Sequence, residues 1–359
     1  MRRYEYKQTS SLTEKGYKGL PFEKFFYYTF SSMSNNNKGK FMKVLITGVA
    51  GFIGSNLADR LIACKHEVIG IDDFSPTYDP QIKRRYIETA SKSDLFALYE
   101  ADICDRETVY DIFEKQKPDV VVHLAARAGV RPSLENPEEY YRINIIGSQN
   151  ILDACRDIRP SHLVFASSSS VYGGSKAIPY SEEDPVMFPI SPYAVTKRTN
   201  ELQSHVYSTI YGLNVTMLRF FTVYGPRQRP DMGIHKFTKQ IISGKPVILF
   251  GDGTSARDYT YIDDILDGIM KSIERPFQYE IFNLGESRTT KLIDLIEIIS
   301  KCVGKPAEIE WQPYQPGDVE ITYADITHAQ TLLNYKPCIP VEEGIQRYVH
   351  WFKKFYNID

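Results

Sequence analysis

The stretch Met42-Lys-Val-Leu-Ile-Thr-Gly48-Val-Ala-Gly51-Phe52-Ile53-Gly54 decides the fold. Val44–Thr47 is a short, β-branched apolar run of the kind that forms a buried parallel strand. It passes directly into three glycines spaced three apart, and a helical stretch, Gly54–Cys64, comes next. Glycines at such a junction allow a tight turn, close approach of backbone to a pyrophosphate, and close packing of helix on strand. The helix N-terminus adds free N–H groups and the positive end of its dipole. A glycine triplet alone is weak evidence; strand before and helix after supply the context it needs.

Working outward, the next strand, Val68–Ile71, ends at Asp72, eighteen residues beyond Gly54. A carboxylate there accepts hydrogen bonds from adenosine ribose hydroxyls and repels a 2′-phosphate, so NAD is the expected cofactor rather than NADP. Taken singly, Asp72 also reads as a loop or capping residue. Lys83, Arg84 and Arg85 lie beyond a proline-bearing loop and are expected to form a solvated face.

Further apolar runs at Val120–Leu124, Leu163–Ser167 and Val215–Phe220 alternate with helical stretches at Glu107–Lys115, Tyr140–Cys155 and Tyr193–Tyr211. Strand–helix alternation implies βαβ crossovers. The fold class expected is therefore α/β, a Rossmann-like doubly wound parallel sheet. After Phe221 the alternation loosens into Pro- and Gly-rich loops, single helices and short strands, the pattern of a smaller C-terminal α/β domain. The expected division is residues 42–221, with a returning segment near 258–283, as the dinucleotide-binding domain, and 222–257 with 284–359 as the smaller domain. Residues 1–41 end in a Ser/Asn/Gly/Lys run and are expected to be a flexible extension. Met42 is a candidate natural start.

Composition excludes several classes. The net charge of −2 and the 42% apolar content are ordinary for a globular protein and give no sign of nucleic-acid binding. The extension carries +5 and the remainder −7. No run approaches the ~20 apolar residues of a membrane helix, and Phe25–Phe30 is too short and polar for a signal-peptide core. The five cysteines, Cys64, Cys104, Cys155, Cys302 and Cys338, are scattered and lack a C-x-x-C pair. Reduced thiols in a cytoplasmic protein are expected, with neither a disulfide frame nor a metal site.

Tyr193-Ala-Val-Thr-Lys197 sets a phenol and an ammonium four residues apart, on one helix face. A nearby lysine and a bound nicotinamide cation both favour phenolate, bringing the tyrosine from its usual ~10 toward working pH. Such a phenol exchanges a proton with a sugar hydroxyl while hydride moves to or from NAD. Y-x-x-x-K alone is a common helix pattern. Here it comes after Ser167-Ser168-Ser169-Ser170-Val-Tyr172-Gly173, where a serine at a strand's C-terminal end can bond a reacting oxygen. A polar turn is the other reading of the serine run.

The glycine spacing, the serine run and Tyr193/Lys197 together resemble the extended short-chain dehydrogenase/reductase family in its nucleotide-sugar branch. That resemblance implies a catalytic triad of Ser168, Tyr193 and Lys197. It implies cofactor contacts from Gly48, Gly51, Phe52, Ile53, Gly54 and Asp72, from Asp102 and Ile103 at the adenine, and from Leu124, Ala125 and Ala126. Asn144 is implied to help place the lysine. By their residues alone, Asp102 reads equally as a helix cap and Asn144 as a backbone-bonding amide.

The residues immediately after Ser168 narrow the reaction. Dehydratases of this branch carry Asp-Glu there, and the related decarboxylases carry Glu before the Val-Tyr-Gly. Ser169 and Ser170 do not titrate near neutrality. Reversible hydride transfer at C4 remains, so the resemblance implies a UDP-sugar 4-epimerase. Phe220–Met232, Arg257–Asp264 and Gln315–Val319 look like the corresponding segments of UDP-glucuronate 4-epimerases, and the likeness spans residues 42–355. The smaller domain is accordingly expected to hold the UDP-sugar. Substrate contacts are expected from Arg131, Ser169, Ser170, Thr222, Arg229, Arg257 and Asp318. Arg257 is assigned to the diphosphate, Arg229 to the uronate end or a closing loop, and Asp318 to the uridine ribose. Arg127 departs from the Gln common in these epimerases. A UDP-glucose or UDP-N-acetylglucosamine 4-epimerase and a non-catalytic NAD-binding sensor are the competing readings. Members of the family commonly pair through helices flanking the sheet, so a homodimer is expected.

Overall fold

The computed structural model describes residues 41–313 and 319–358; the extension up to Lys40 and the expected contact Asp318 lie outside the described residues. The strands in chain order are β1 Lys43–Thr47, β2 Glu67–Asp72, β3 Phe96–Glu100, β4 Val120–His123, β5 His162–Ser168, β6 Val215–Phe220, β7 Thr222–Tyr224, β8 Val247–Phe250, β9 Ala256–Arg257, β10 Tyr259–Tyr261, β11 Tyr279–Leu284, β12 Thr290–Lys291 and β13 Ile309–Gln312. Seven of them form one parallel sheet in the order β11-β6-β5-β4-β1-β2-β3. The order reverses between β1 and β4, which makes their C-terminal ends the switch point where such sheets bind ligands.

The central strands are buried on both faces, as their unbroken apolar runs require. Val44 and Ile46 pack with Leu57, Ile265 and Ile269 on one side, while Leu45 packs with Val109, Phe113 and Leu152 on the other. β11 returns to the sheet edge beside β6. The chain beyond β6 builds three two-stranded sheets, β7 with β10, β9 with β12, and β8 with β13.

Two local expectations change. Tyr140–Cys155 is not one continuous helix: Pro137–Tyr141 and Ser148–Ile158 are α-helical, and Arg142–Gly147 between them winds as a wider π-turn. Such turns re-aim side chains, and they recur at functional sites. Lys83, Arg84 and Arg85 do not share a solvated face. Lys83 is buried on the inner side of the helix Pro80–Tyr86 together with Tyr86, three residues on, whereas Arg84 pairs with the exposed Glu100.

Candidate active site

A cleft of about 590 Å³ opens at the switch point. One half is built by β1, β2 and β4. Gly48 has φ +72°, and a Cβ on it would lie 2.9 Å from the Cα and N of Ala125. A Cβ on Gly54 would lie 2.2 Å from the Gly48 carbonyl. No side chain caps the helix Phe52–Ala63 that starts here, which leaves its first N–H groups to the cleft. Gly51, Phe52, Ile53, Asp102, Ile103, Leu124, Ala125 and Ala126 line the same half. A backbone cradle with room for no side chain, at an uncapped helix N-terminus, fits a dinucleotide pyrophosphate.

Asp72 ends β2 inside this half. Its carboxylate accepts from the backbone N–H of Ala50 at 3.0 Å and of Phe74 at 2.9 Å, with the Lys83 ammonium 3.5 Å away. Burial raises its pKa, and Lys83 and the two N–H donors work against that rise. Asp102 lines the cleft yet bonds the Cys104 N–H at 2.8 Å and Arg142 at 3.1 Å.

The other half holds the expected chemistry. β5 delivers Ser168 at its C-terminal end, and the helix Pro192–Tyr211 delivers Tyr193 and Lys197. Ser191 caps that helix, accepting from Ala194 N at 3.1 Å, and Pro192 pre-sets its first turn. All three side chains line the cleft. Burial raises the pKa of the Tyr193 phenol, while the neighbouring Ser168 hydroxyl and the positive field of Arg229 draw it back. Ser168 also accepts from the backbone N–H of Ser170 at 3.2 Å and from its hydroxyl at 3.0 Å. Lys197 is buried and donates to the Ala166 carbonyl at 2.8 Å. Burial lowers its pKa to about 8, and Glu201 one turn further on opposes the fall.

The remaining expected contacts divide. Ser169, Ser170, Thr222, Arg229 and Arg257 line the cleft. Arg257 bonds the carbonyls of Ala256 and Glu320 at 3.0 and 3.1 Å. Arg229 commits its guanidinium to Asp231, with Nε at 2.9 Å, and reaches the Ala128 carbonyl at 3.3 Å. It therefore ties a loop shut rather than presenting a free fork to a carboxylate. Arg131 is exposed and lies over the Phe250 ring at 4.9 Å, away from the cleft lining. Asn144 sits on the π-turn and does not touch Lys197. Its side chain clasps the backbone of Arg127, accepting from N at 2.7 Å and donating to O at 2.9 Å, and bonds Thr196 at 3.0 Å.

Three residues escaped sequence reasoning. Lys83 lines the cofactor half; its spacing of three from Tyr86 was the available signal for an inward face. Tyr78 lines the cleft with a buried hydroxyl that lacks a protein partner. Asp258, fully buried, accepts from Glu286 N at 2.8 Å, Thr260 Oγ1 at 3.0 Å, Ser287 N at 3.0 Å and Ala324 N at 3.2 Å. Its carboxylate ties the strand that carries Arg257 to the Glu286–Ser287 turn and to the segment that carries Thr322. Burial lifts its pKa to about 6 against those bonds.

A dinucleotide cradle facing a Ser/Tyr/Lys constellation defines a nicotinamide-dependent enzyme acting on a hydroxyl-bearing substrate. Residues 44–285 match the model of the NAD dependent epimerase/dehydratase family, and the chain belongs to that family. It is 45% identical over 311 residues to a UDP-glucuronate 4-epimerase from Thermodesulfobacterium geofontis, a match covering 86% of this chain and 96% of that protein. The crystal structure of UDP-glucuronic acid 4-epimerase from Bacillus cereus, in complex with UDP-glucuronic acid and NAD, superposes with TM-score 0.83 at 37% identity, covering 88% of this chain and all of that one. UDP-glucose 4-epimerase from Thermotoga maritima gives TM-score 0.81 at 34% identity, covering 88% and 100%.

Proposed function

We propose that this protein is an NAD-dependent isomerase that interconverts UDP-glucuronate and UDP-galacturonate by inversion at C4. The observation that carries the reading is that Ser168, Tyr193 and buried Lys197, one helical turn beyond Tyr193, line one cleft with the glycine cradle. Bound NAD would supply the acceptor and donor for the hydride at the sugar C4. Tyr193 holds the proton: as phenolate it removes the C4 hydroxyl proton, and as phenol it gives the proton back. Lys197 favours the phenolate by its charge, and Ser168 orients the phenol oxygen. Rotation of the keto sugar between the two transfers delivers the other epimer.

Ser169 and Ser170 leave no acid or base beside Ser168 for elimination of water. With Thr222 they offer hydroxyls to a carboxylate on C5. A 4-keto uronate is a β-keto acid and loses CO₂ when its carboxylate turns perpendicular to the carbonyl plane; hydrogen bonds that hold it otherwise suppress the loss. A second reading, a neutral-sugar epimerase, is favoured by Arg229, whose fork is spent on Asp231. Retention of both Tyr193 and Lys197 disfavours a sensor. Product analysis by NMR with UDP-glucuronate, UDP-glucose and UDP-N-acetylglucosamine supplied separately tests the assignment. A UDP-galacturonate signal without CO₂ release is expected; turnover of the neutral sugars alone would overturn the uronate.

The outer face of the helix Pro192–Tyr211 exposes Val195, Leu202, Val206 and Ile210 in one stripe, with Ile146 and Tyr141 on the neighbouring segment. Such a contiguous apolar patch suits a second copy of the chain. No helix among the described residues is long and apolar enough to cross a membrane. The five unpaired cysteines suit a reducing cytoplasm.

A further inference from the structure

We propose that Arg127 is a cofactor-retaining residue whose side chain joins the two walls of the dinucleotide half of the cleft, so that release of NAD requires parting Arg127 from Ser75 and Thr77. Arg127 directly follows the wall Leu124–Ala126 at the end of β4, and Asn144 fixes its main chain from both N and O. Its guanidinium crosses to the loop after β2, donating to Ser75 Oγ at 3.1 Å and to Thr77 Oγ1. From its other edge Nε donates to Glu139 at 3.0 Å, which neutralises the charge and fixes the plane of the fork. Ser75 also takes the Lys83 ammonium at 3.3 Å, and Lys83 in turn faces Asp72. A continuous polar chain, Glu139–Arg127–Ser75–Lys83–Asp72, thus runs from the wall after β4 to the wall at β2. Ser75, Thr77, Arg127, Lys83 and Asp72 all line the cleft, and Thr77 marks its solvent-facing edge.

The chemistry gives this bridge a purpose, and here the inference rests on the epimerase reading. A hydride lodged on the nicotinamide must return to the same sugar, so loss of the reduced nucleotide between the two transfers would strand a keto sugar. Retention across the whole turnover is therefore a requirement, and a bridge between the walls slows departure without contacting the reacting atoms. Charge-assisted hydrogen bonds of this kind are each worth about a tenfold change in rate when removed.

The test measures nucleotide release with no sugar present, so it gives an answer even if the chain epimerises nothing. Full-length protein loaded with NAD is freed of excess nucleotide by gel filtration, and NAD appearing in solution is followed over time. Arg127→Met and, separately, the double variant Ser75→Ala/Thr77→Val are each expected to release NAD roughly tenfold faster than the parent. Release slowed or unchanged in both overturns the proposal. Fast release in Arg127→Met with parental release in the double variant also overturns it, because Arg127 would then be a direct phosphate ligand. Melting temperatures of the NAD-free proteins verify folding; if Arg127→Met does not fold, the double variant decides.

Discussion

The Lys197 ammonium donates to the carbonyl of Ala166, 2.8 Å away, two residues before Ser168 on β5. The bond fixes the charge beneath Tyr193 without neutralising it, and burial leaves the lysine with a pKa of about 8. The protonated form is the one that favours phenolate, so kcat/KM should fall above about pH 8 with loss of one proton. The same shift bears on stability. Between pH 8 and about 10.4 the folded chain has released this proton while the unfolded chain still holds it, so stability gains as pH rises through that window. Lys197→Met should therefore melt a few degrees above the parent at pH 7 and lose that advantage by pH 10. A flat difference across the range would refute the assignment.

Tyr193→Phe removes the proton carrier and leaves the ring. Turnover should drop by roughly 10²–10⁴ while NAD binding and melting temperature stay near parental values. Single-turnover assays with bound NAD check whether the loss lies in the chemical step.

Thr222→Val keeps the shape at the start of β7 and deletes one hydroxyl from the cleft. With UDP-glucuronate, the share of turnovers ending in CO₂ should rise several-fold, consistent with the loss of about 1 kcal/mol of hydrogen bonding. Trapped CO₂ counted against UDP-galacturonate formed gives the ratio; an unchanged ratio would remove Thr222 from the carboxylate contact.

Glu286 is pushed up to about 7 by burial and by the Asp258 carboxylate it faces, with Arg288 opposing. Between about pH 4.5 and 7 the folded protein holds this proton and the unfolded chain does not, so its contribution is present at low pH and is lost as pH rises through 7. Glu286→Gln should accordingly raise the melting temperature by about 1–3 °C at pH 8, after discounting for solvent screening, and change nothing at pH 4. Calorimetry at the two pH values separates this from a simple packing effect.

Leu202→Glu with Ile210→Glu places two charges on the exposed stripe of the helix Pro192–Tyr211. The parent should elute as a dimer and the double variant as a monomer by light scattering. A monomeric parent would end the dimer reading.

The frame of the sheet was legible because its central strands are buried on both faces and therefore uniformly apolar. β3 was not: it is an edge strand whose Phe96–Tyr99 are only half-buried, and its apolar run Leu95–Tyr99 holds no β-branched residue to mark it as a strand. The helix break at Arg142–Gly147 left no proline or glycine pair to announce it. In the site, the cleft positions of Gly48, Gly54, Asp72, Ser168, Tyr193 and Lys197 were readable because each depends on spacing along one strand or helix. Arg127 and Asp258 act through partners distant in the chain, such as the Arg127 bond to Ser75 and the Asp258 bonds to Ser287 and Ala324, and local pattern does not carry that information. Arg131, one residue past the lining residue Val130, lies over Phe250 instead of among the cleft residues, a side-chain direction that spacing alone does not set.

The arrangement around Asp258 has an evolutionary corollary. One carboxylate with four donors acts as a common anchor for three stretches of chain, and none of the donor residues lines the cleft. The cleft residue Thr222 joins this anchor through its backbone N–H alone, so its side chain can change without unmooring the wall that holds it. A scaffold with a constant fastening and interchangeable facing residues can shift its preference between neutral and acidic sugars by few substitutions, leaving the apparatus of hydride and proton exchange untouched.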